Sequence, residues 1–156
     1  MASSEQQEQF RRLAVELRIL EGTAETLQAR LNLVHGALNE LGVARATLEG
    51  VEKESPGASL FVPIGGGSFI RATLESSDRV VVGMGAGVST ERSMVEAKEI
   101  VQSRLGELEK TRASLQQQLV QVVGRIQENR DRLQELSGML SQVERRADVS
   151  EAEGRS

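Results

Sequence analysis

The chain has no cysteine, tryptophan or tyrosine, and only three phenylalanines, two prolines and one histidine among its 156 residues. Without cysteine there is no disulfide, no thiolate zinc site and no cysteine nucleophile. The single histidine, His35, leaves no second imidazole for a catalytic dyad or a two-histidine metal site. Aromatics at 2 % cannot fill an ordinary globular core. The start, Met1-Ala2-Ser3-Ser4-Glu5, is polar and acidic, and no long apolar run follows it. These absences lead to the expectation of no signal peptide, no membrane span and a soluble, cytoplasmic protein. A net charge of −4 gives the whole chain no electrostatic attraction to nucleic acid.

What the chain does have is glutamate, glutamine, leucine, arginine and alanine, the composition of long helices. A 3-4 spacing from Phe10 runs through Leu13, Leu17, Leu20, Ala24, Leu27, Leu31, Val34, Leu38, Leu41, Arg45 and Leu48. So narrow an apolar stripe predicts a coiled-coil helix over about 5–52, flanked by a solvated face of Glu, Gln, Arg, Ser and Thr. The same spacing from Met94 runs through Lys98, Val101, Leu105, Leu108, Arg112, Leu115, Leu119, Val122, Ile126, Asn129, Leu133, Leu136, Leu140 and Val143. It predicts a second helix over 93–147, opened by a capping box of Ser93 and Glu96. Residues 148–156 are polar and are expected to form a disordered tail.

Between the helices, residues 56–92 hold both prolines and seven of the 15 glycines. Their apolar residues are β-branched or aromatic, and short runs at 59–64, 68–75, 79–84 and 86–92 read as four strands, two hairpins. Two heptad helices of similar length, each roughly 65–70 Å at 1.5 Å per residue, satisfy their stripes by folding back antiparallel through this β element. Phe10 then falls near Leu133, and Leu48 near Met94. Four short strands leave open edges and an apolar face that cannot persist alone. The fold expected is therefore mainly α: an antiparallel two-helix coiled coil with two central hairpins that assemble into an intersubunit β-barrel. Phe61, Val62, Ile64, Phe69, Ile70, Val80, Val81, Val82 and Val88 are the candidate oligomerisation residues.

The string Leu60-Phe61-Val62-Pro63-Ile64-Gly65-Gly66-Gly67-Ser68-Phe69-Ile70 resembles the first hairpin of prefoldin α-type subunits. Val80-Val81-Val82-Gly83-Met84-Gly85-Ala86-Gly87-Val88-Ser89, followed by Glu91, resembles their second hairpin. Two hairpins rather than one point to the α type, most like the archaeal form. The resemblance implies a hexamer of two α and four β subunits whose hairpins form linked barrels. It implies an ATP-independent chaperone that holds non-native polypeptides at its coiled-coil tips and passes them to a group II chaperonin. No cofactor, metal, nucleic acid or membrane is implied.

The tips are where helix ends fray and seam residues lose part of their partner shell. Phe10, Leu13, Leu17, Leu136, Met139, Leu140 and Val143 are the candidate substrate contacts, and Met139 adds a flexible side chain suited to varied partners. Gly65-Gly66-Gly67 and Gly83-x-Gly85-x-Gly87 match neither G-x-G-x-x-G nor a Walker A string, so they read as turns and bulges rather than phosphate cradles. Glu16, Glu21 and Glu25 read as solvated, or as paired with arginines three or four residues away. Antiparallel helices would bring Arg11-Arg12 towards Arg145-Arg146 at the tip. No nucleophile–base constellation is present, so an enzyme is not expected. A structural scaffold with one fixed partner is the alternative reading of the same architecture.

Overall fold

The computed structural model describes residues 2–155, with side chains from residue 4 onward. The order of elements is α1 (Ala2–Glu52), β1 (Ser59–Gly65), β2 (Ser68–Thr73), β3 (Arg79–Gly85), β4 (Val88–Ser93) and α2 (Met94–Glu153). Two long helices thus bracket two antiparallel hairpins, β1–β2 and β3–β4, each a separate two-stranded sheet.

α1 persists because no proline interrupts it before Pro56, and its threonines do not compete with the helix. The hydroxyls of Thr23, Thr26 and Thr47 donate back to the carbonyls of Ile19, Gly22 and Val43. After the helix, Gly57 takes a left-handed φ of 87° and its N–H donates to the Leu74 carbonyl at 2.6 Å. That bond and its return from the Leu74 N–H to the Ala58 carbonyl close the base of the first hairpin.

The two hairpins share one construction. In β1–β2 the register runs from Ser59↔Thr73 to Pro63↔Phe69, then shifts to Gly65↔Ser68, leaving Ile64 as the bulged residue. In β3–β4 it runs from Arg79↔Ser93 to Gly83↔Ser89, then shifts to Gly85↔Val88 around Met84. Gly65, Gly66 and Gly67 all have positive φ, as do Gly85, Ala86 and Gly87. A bulge followed by a left-handed turn needs this conformation, which is costly for residues with a Cβ. Ala86, at φ 52°, is the only non-glycine among the described residues to adopt it.

α2 begins directly after β4. The Ser93 Oγ accepts the Glu96 N–H at 3.2 Å, as a capping residue should. The Glu96 carboxylate lies 3.9 Å from Arg92 instead of completing the box. At its far end α2 continues through Glu153, where the sequence suggested a disordered tail from 148. The heptad stops at Val143, but Glu, Arg and Ala are good helix formers, and extending an existing helix avoids the nucleation cost.

The chain divides into a terminal unit, residues 2–33 with 113–155, and a central unit, 34–112. In the terminal unit Leu13, Leu20, Leu27 and Leu31 of α1 and Leu115, Ile126 and Leu136 of α2 are buried, all at the 3-4 positions. The two helical segments run antiparallel, Gln6 meeting Met139 while Glu16 and Glu21 meet Arg125 and Arg130. Asn129 occupies a seam position at 7 % exposure, and its Nδ2 has no hydrogen-bond partner in the protein. In the central unit the buried residues are Val82, Met94, Ala97, Val101 and Leu105. Lys98 bonds Glu52 at 2.7 Å across the helices, and an Arg104 guanidinium nitrogen donates to the Gly83 carbonyl at 2.7 Å, tying β3 to α2.

Leu27 is only 5 % exposed, so Leu27→Ala is expected to cost about 2–5 kcal/mol, read as a lower midpoint in the helical circular dichroism melt. Asn129→Leu removes a buried, unpaired amide and is expected to raise the same midpoint by the equivalent of about 1–3 kcal/mol. It should also weaken register selection, as polar seam residues supply it.

Candidate functional site

Among the described residues no group of three or more His, Asp or Glu could hold a metal ion. Among the described residues no helix is long and apolar enough to cross a membrane. Both glycine strings are hairpin turns that lead into β2 and β4, so neither faces a helix N-terminus. His35 is exposed beside an open groove lined by Leu38, Gly42, Leu105, Gly106, Glu109 and Arg112. The hydrogen bond that Lys98 donates to the Glu52 carboxylate holds its ammonium above the ordinary pKa of 10.5. That pairing contributes fully below pH 10.5 and is lost only as pH climbs through the raised value, so it is constant near neutrality.

Two apolar surfaces remain. The first is the pair of hairpins. On β1–β2 one face carries Phe61, Pro63 and Phe69, and the other carries Val62 and Ile70 as a cross-strand pair. The Phe61 and Phe69 rings meet edge-to-face at 6.5 Å, with the Arg71 guanidinium 5.7 Å over Phe61. Every residue from Phe61 to Ile70 is exposed. A two-stranded sheet bare on both faces, with both outer edges unpaired, has neither burial nor full hydrogen bonding to sustain it. On β3–β4, Val81, Met84 and Val88 are exposed, Val80 is half-buried and Val82 is buried. Val82 therefore belongs to the chain's own packing, beside a groove lined by Leu41, Leu48 and Val101. Val80 lines the same groove, and the other predicted oligomerisation residues are exposed. Met84 is exposed beside them; as a bulge residue it broke the period-2 pattern that would have picked it out.

The second surface is the open end of the terminal unit. All seven predicted substrate contacts gather there, but unequally. Leu13 and Leu136 are buried in the seam, and Phe10, Leu17 and Leu140 are half-buried. Met139 and Val143, at 49 % and 44 % exposure, present the most side chain. Beyond them, residues 141–155 are exposed throughout.

Two charge expectations change. Glu16 and Glu21 pair across to α2, with Arg125 at 2.9 Å and Arg130 at 2.8 Å, instead of within α1. Arg11-Arg12 and Arg145-Arg146 do not approach. Gln6 is level with Met139, so the two arginine pairs lie on opposite sides of that level, about 18 Å apart along the helices. Arg12 pairs instead with Glu8 at 3.3 Å.

The sequence model of the family described as Prefoldin subunit matches residues 20–139. The prefoldin subunit alpha of Methanopyrus kandleri is 37 % identical over 113 residues, covering 72 % of each chain. That of Pyrococcus horikoshii is 32 % identical over 129 residues, covering 82 % of this chain and 87 % of the relative. A filamentous PFD from Methanocaldococcus jannaschii, solved by cryo-electron microscopy, shares the fold with a TM-score of 0.62 at 24 % identity, over 71 % of this chain and 92 % of that one. Paired heptad helices, two bulged hairpins between them and a family match over most of the length agree: the chain belongs to the prefoldin family, where the relatives it is similar to are α subunits.

Proposed function

We infer that this chain is the α-type subunit of an ATP-independent holdase, joining β-type subunits through its hairpins and gripping unfolded polypeptides at its helix ends. The observation that carries the reading is the bare first hairpin, β1–β2, a sheet apolar on both faces and unpaired at its edges in a chain of this family. Burying a large apolar side chain is worth about 1.5–3 kcal/mol, so covering half a dozen of them repays association several-fold over a surface salt bridge. Strands from neighbouring subunits closing into barrels would also remove the free edges. Two α and four β subunits, the stoichiometry implied by the resemblance, give six coiled coils around such a body.

Client binding follows from the other surface. One helix end covering a few hundred Å² supplies at most several kcal/mol at about 25 cal/mol per Å², less the cost of ordering. Several ends gripping one chain multiply this through effective concentration, and release proceeds end by end without nucleotide. Transfer to a group II chaperonin in the cytoplasm completes the proposed cycle.

Mixed with a β-type subunit, the chain is expected to give a hexamer by native mass spectrometry that suppresses aggregation of diverse denatured proteins without ATP. A verified hexamer that ignores every denatured client but binds one folded protein would replace the holdase with a scaffold. Met139→Ser combined with Val143→Ser should weaken suppression severalfold while leaving the hexamer mass unchanged. Phe69→Asp, placing a carboxylate on an exposed hairpin face, should abolish hexamer formation while the helical circular dichroism signal stays intact.

A further inference from the structure

A chain without cysteine, tryptophan or tyrosine offers a mild oxidant little besides its methionine sulfurs. Four methionines are present, and Met1 lies outside the described residues. The other three differ in setting. Met94 is 6 % exposed, in the core of the central unit. Met84 and Met139 are 45 % and 49 % exposed. Each of these two sulfurs has a nitrogen donor set against it at 4.0 Å: an Arg104 guanidinium nitrogen at Met84, and the Gln6 side-chain amide at Met139. Met84 sits on the hairpin surface that the proposed hexamer would cover. Met139 stands at the open end of the terminal unit, on the surface proposed to grip clients.

Apolar contact alone does not call for methionine at this position. Met139 is off the seam, between Leu136 and Leu140, where leucine would offer a similar apolar volume and an equal helix propensity. What methionine adds is a sulfur that can become polar and return. A thioether is a weak acceptor, so the Gln6 amide gains little from it. A sulfoxide oxygen on the same side of the sulfur is a far better acceptor and closes the gap to that N–H.

We propose that Met139 is a site of reversible oxidation to the sulfoxide by hydrogen peroxide, and that the oxidised side chain, latched by Gln6, weakens the client grip of the open end. The inference rests on the holdase reading. In the forward step the sulfur lone pair attacks one peroxide oxygen. The S–O bond forms as the O–O bond breaks, and the proton left on the transferred oxygen passes to the departing hydroxide, which leaves as water. The sulfur gives up two electrons. In the return step two thiols become a disulfide and the sulfoxide oxygen leaves as water. The change acts twice. It sets a polar group among the partly exposed Phe10, Leu140 and Val143, and that group must be desolvated before an apolar client segment can cover it. It also ties the start of α1 to α2, holding the helix ends closed over the buried Leu13 and Leu136.

The full chain, assembled with a β-type subunit, can be treated with a limited dose of hydrogen peroxide. Peptide mass spectrometry is expected to find the sulfoxide at Met139 severalfold sooner than at the buried Met94. Suppression of client aggregation should fall in step with it, severalfold at full conversion, while the native mass stays that of the hexamer. Methionine sulfoxide reductase with dithiothreitol should restore suppression. Met139→Leu should suppress as well as the untreated parent and be unmoved by the same dose. Gln6→Ala removes the waiting donor, so its oxidised form should lose less of the grip than the oxidised parent. Complete conversion of Met139 with suppression unchanged would overturn the proposal. So would an equal loss on oxidation in Met139→Leu, or in Gln6→Ala. A reduced complex that holds no client removes the holdase reading and this switch with it, whereas a working complex indifferent to the sulfoxide removes the switch alone.

Discussion

One row of apolar side chains on each helix, closed against the other, is the interaction on which everything else in this chain depends. A helix pair has no third layer. Its seam residues are walled on two sides and graze solvent on the others, which is why no large side chain in the described residues is completely enclosed. Stability then accumulates by length, each apolar seam position adding its share. The interhelical ion pairs of Glu16 and Glu21 lie along the rim, more than 40 % exposed, and contribute direction more than free energy. Hairpins hung on such a pair inherit almost no core from it. Val82 and the Arg104 bond to Gly83 are the two anchors for β3–β4, whereas every residue of β1–β2 from Phe61 to the turn and back to Ile70 is exposed.

Most of this architecture could be read from the sequence because it rests on periodicity. The 3-4 spacing from Phe10 and from Met94 marks the residues that are buried, and the shift to β-branched runs at Leu60 and Val80 marks the strands within a residue or two. The glycine strings gave the turns because positive φ is a backbone demand that few other residues meet. Ala86 shows the limit of that rule, since it takes the same conformation with a Cβ attached. Helix ends were harder. Residues 148–153 lack a stripe and looked disordered, but propagation from a helix already formed needs no stripe.

The functional surfaces were only partly legible. Six of the seven residues of the open end were found by their place in the heptad, and Met139, off the seam, by its flexible side chain; the heptad cannot separate a closed seam position from a frayed one. The structure separates them, leaving Leu13 and Leu136 in the core and Met139 and Val143 outside. Val82 was grouped with its exposed neighbours because alternation along a strand says which residues share a face, not which face the chain covers. The ion pairs across the helices were missed for a related reason. Spacing within one helix suggests i±4 partners, and the competing partner on the other helix is set by a register that sequence fixes only to within a turn.

What these surfaces share is that each is incomplete in one chain. A hairpin with two apolar faces needs neighbours to cover it, and strand pairing supplies many weak terms that must form together, so the assembly they build is strong and defined. A helix end with half-covered leucines needs no particular neighbour. It offers area without a matching shape, and any apolar segment satisfies it a little. In the proposed holdase the same hydrophobic effect gives a permanent interface where geometry is fixed by strand register, and a transient one where it is not. The two kinds of incompleteness reside in different units of the chain, so that strengthening one leaves the other weak.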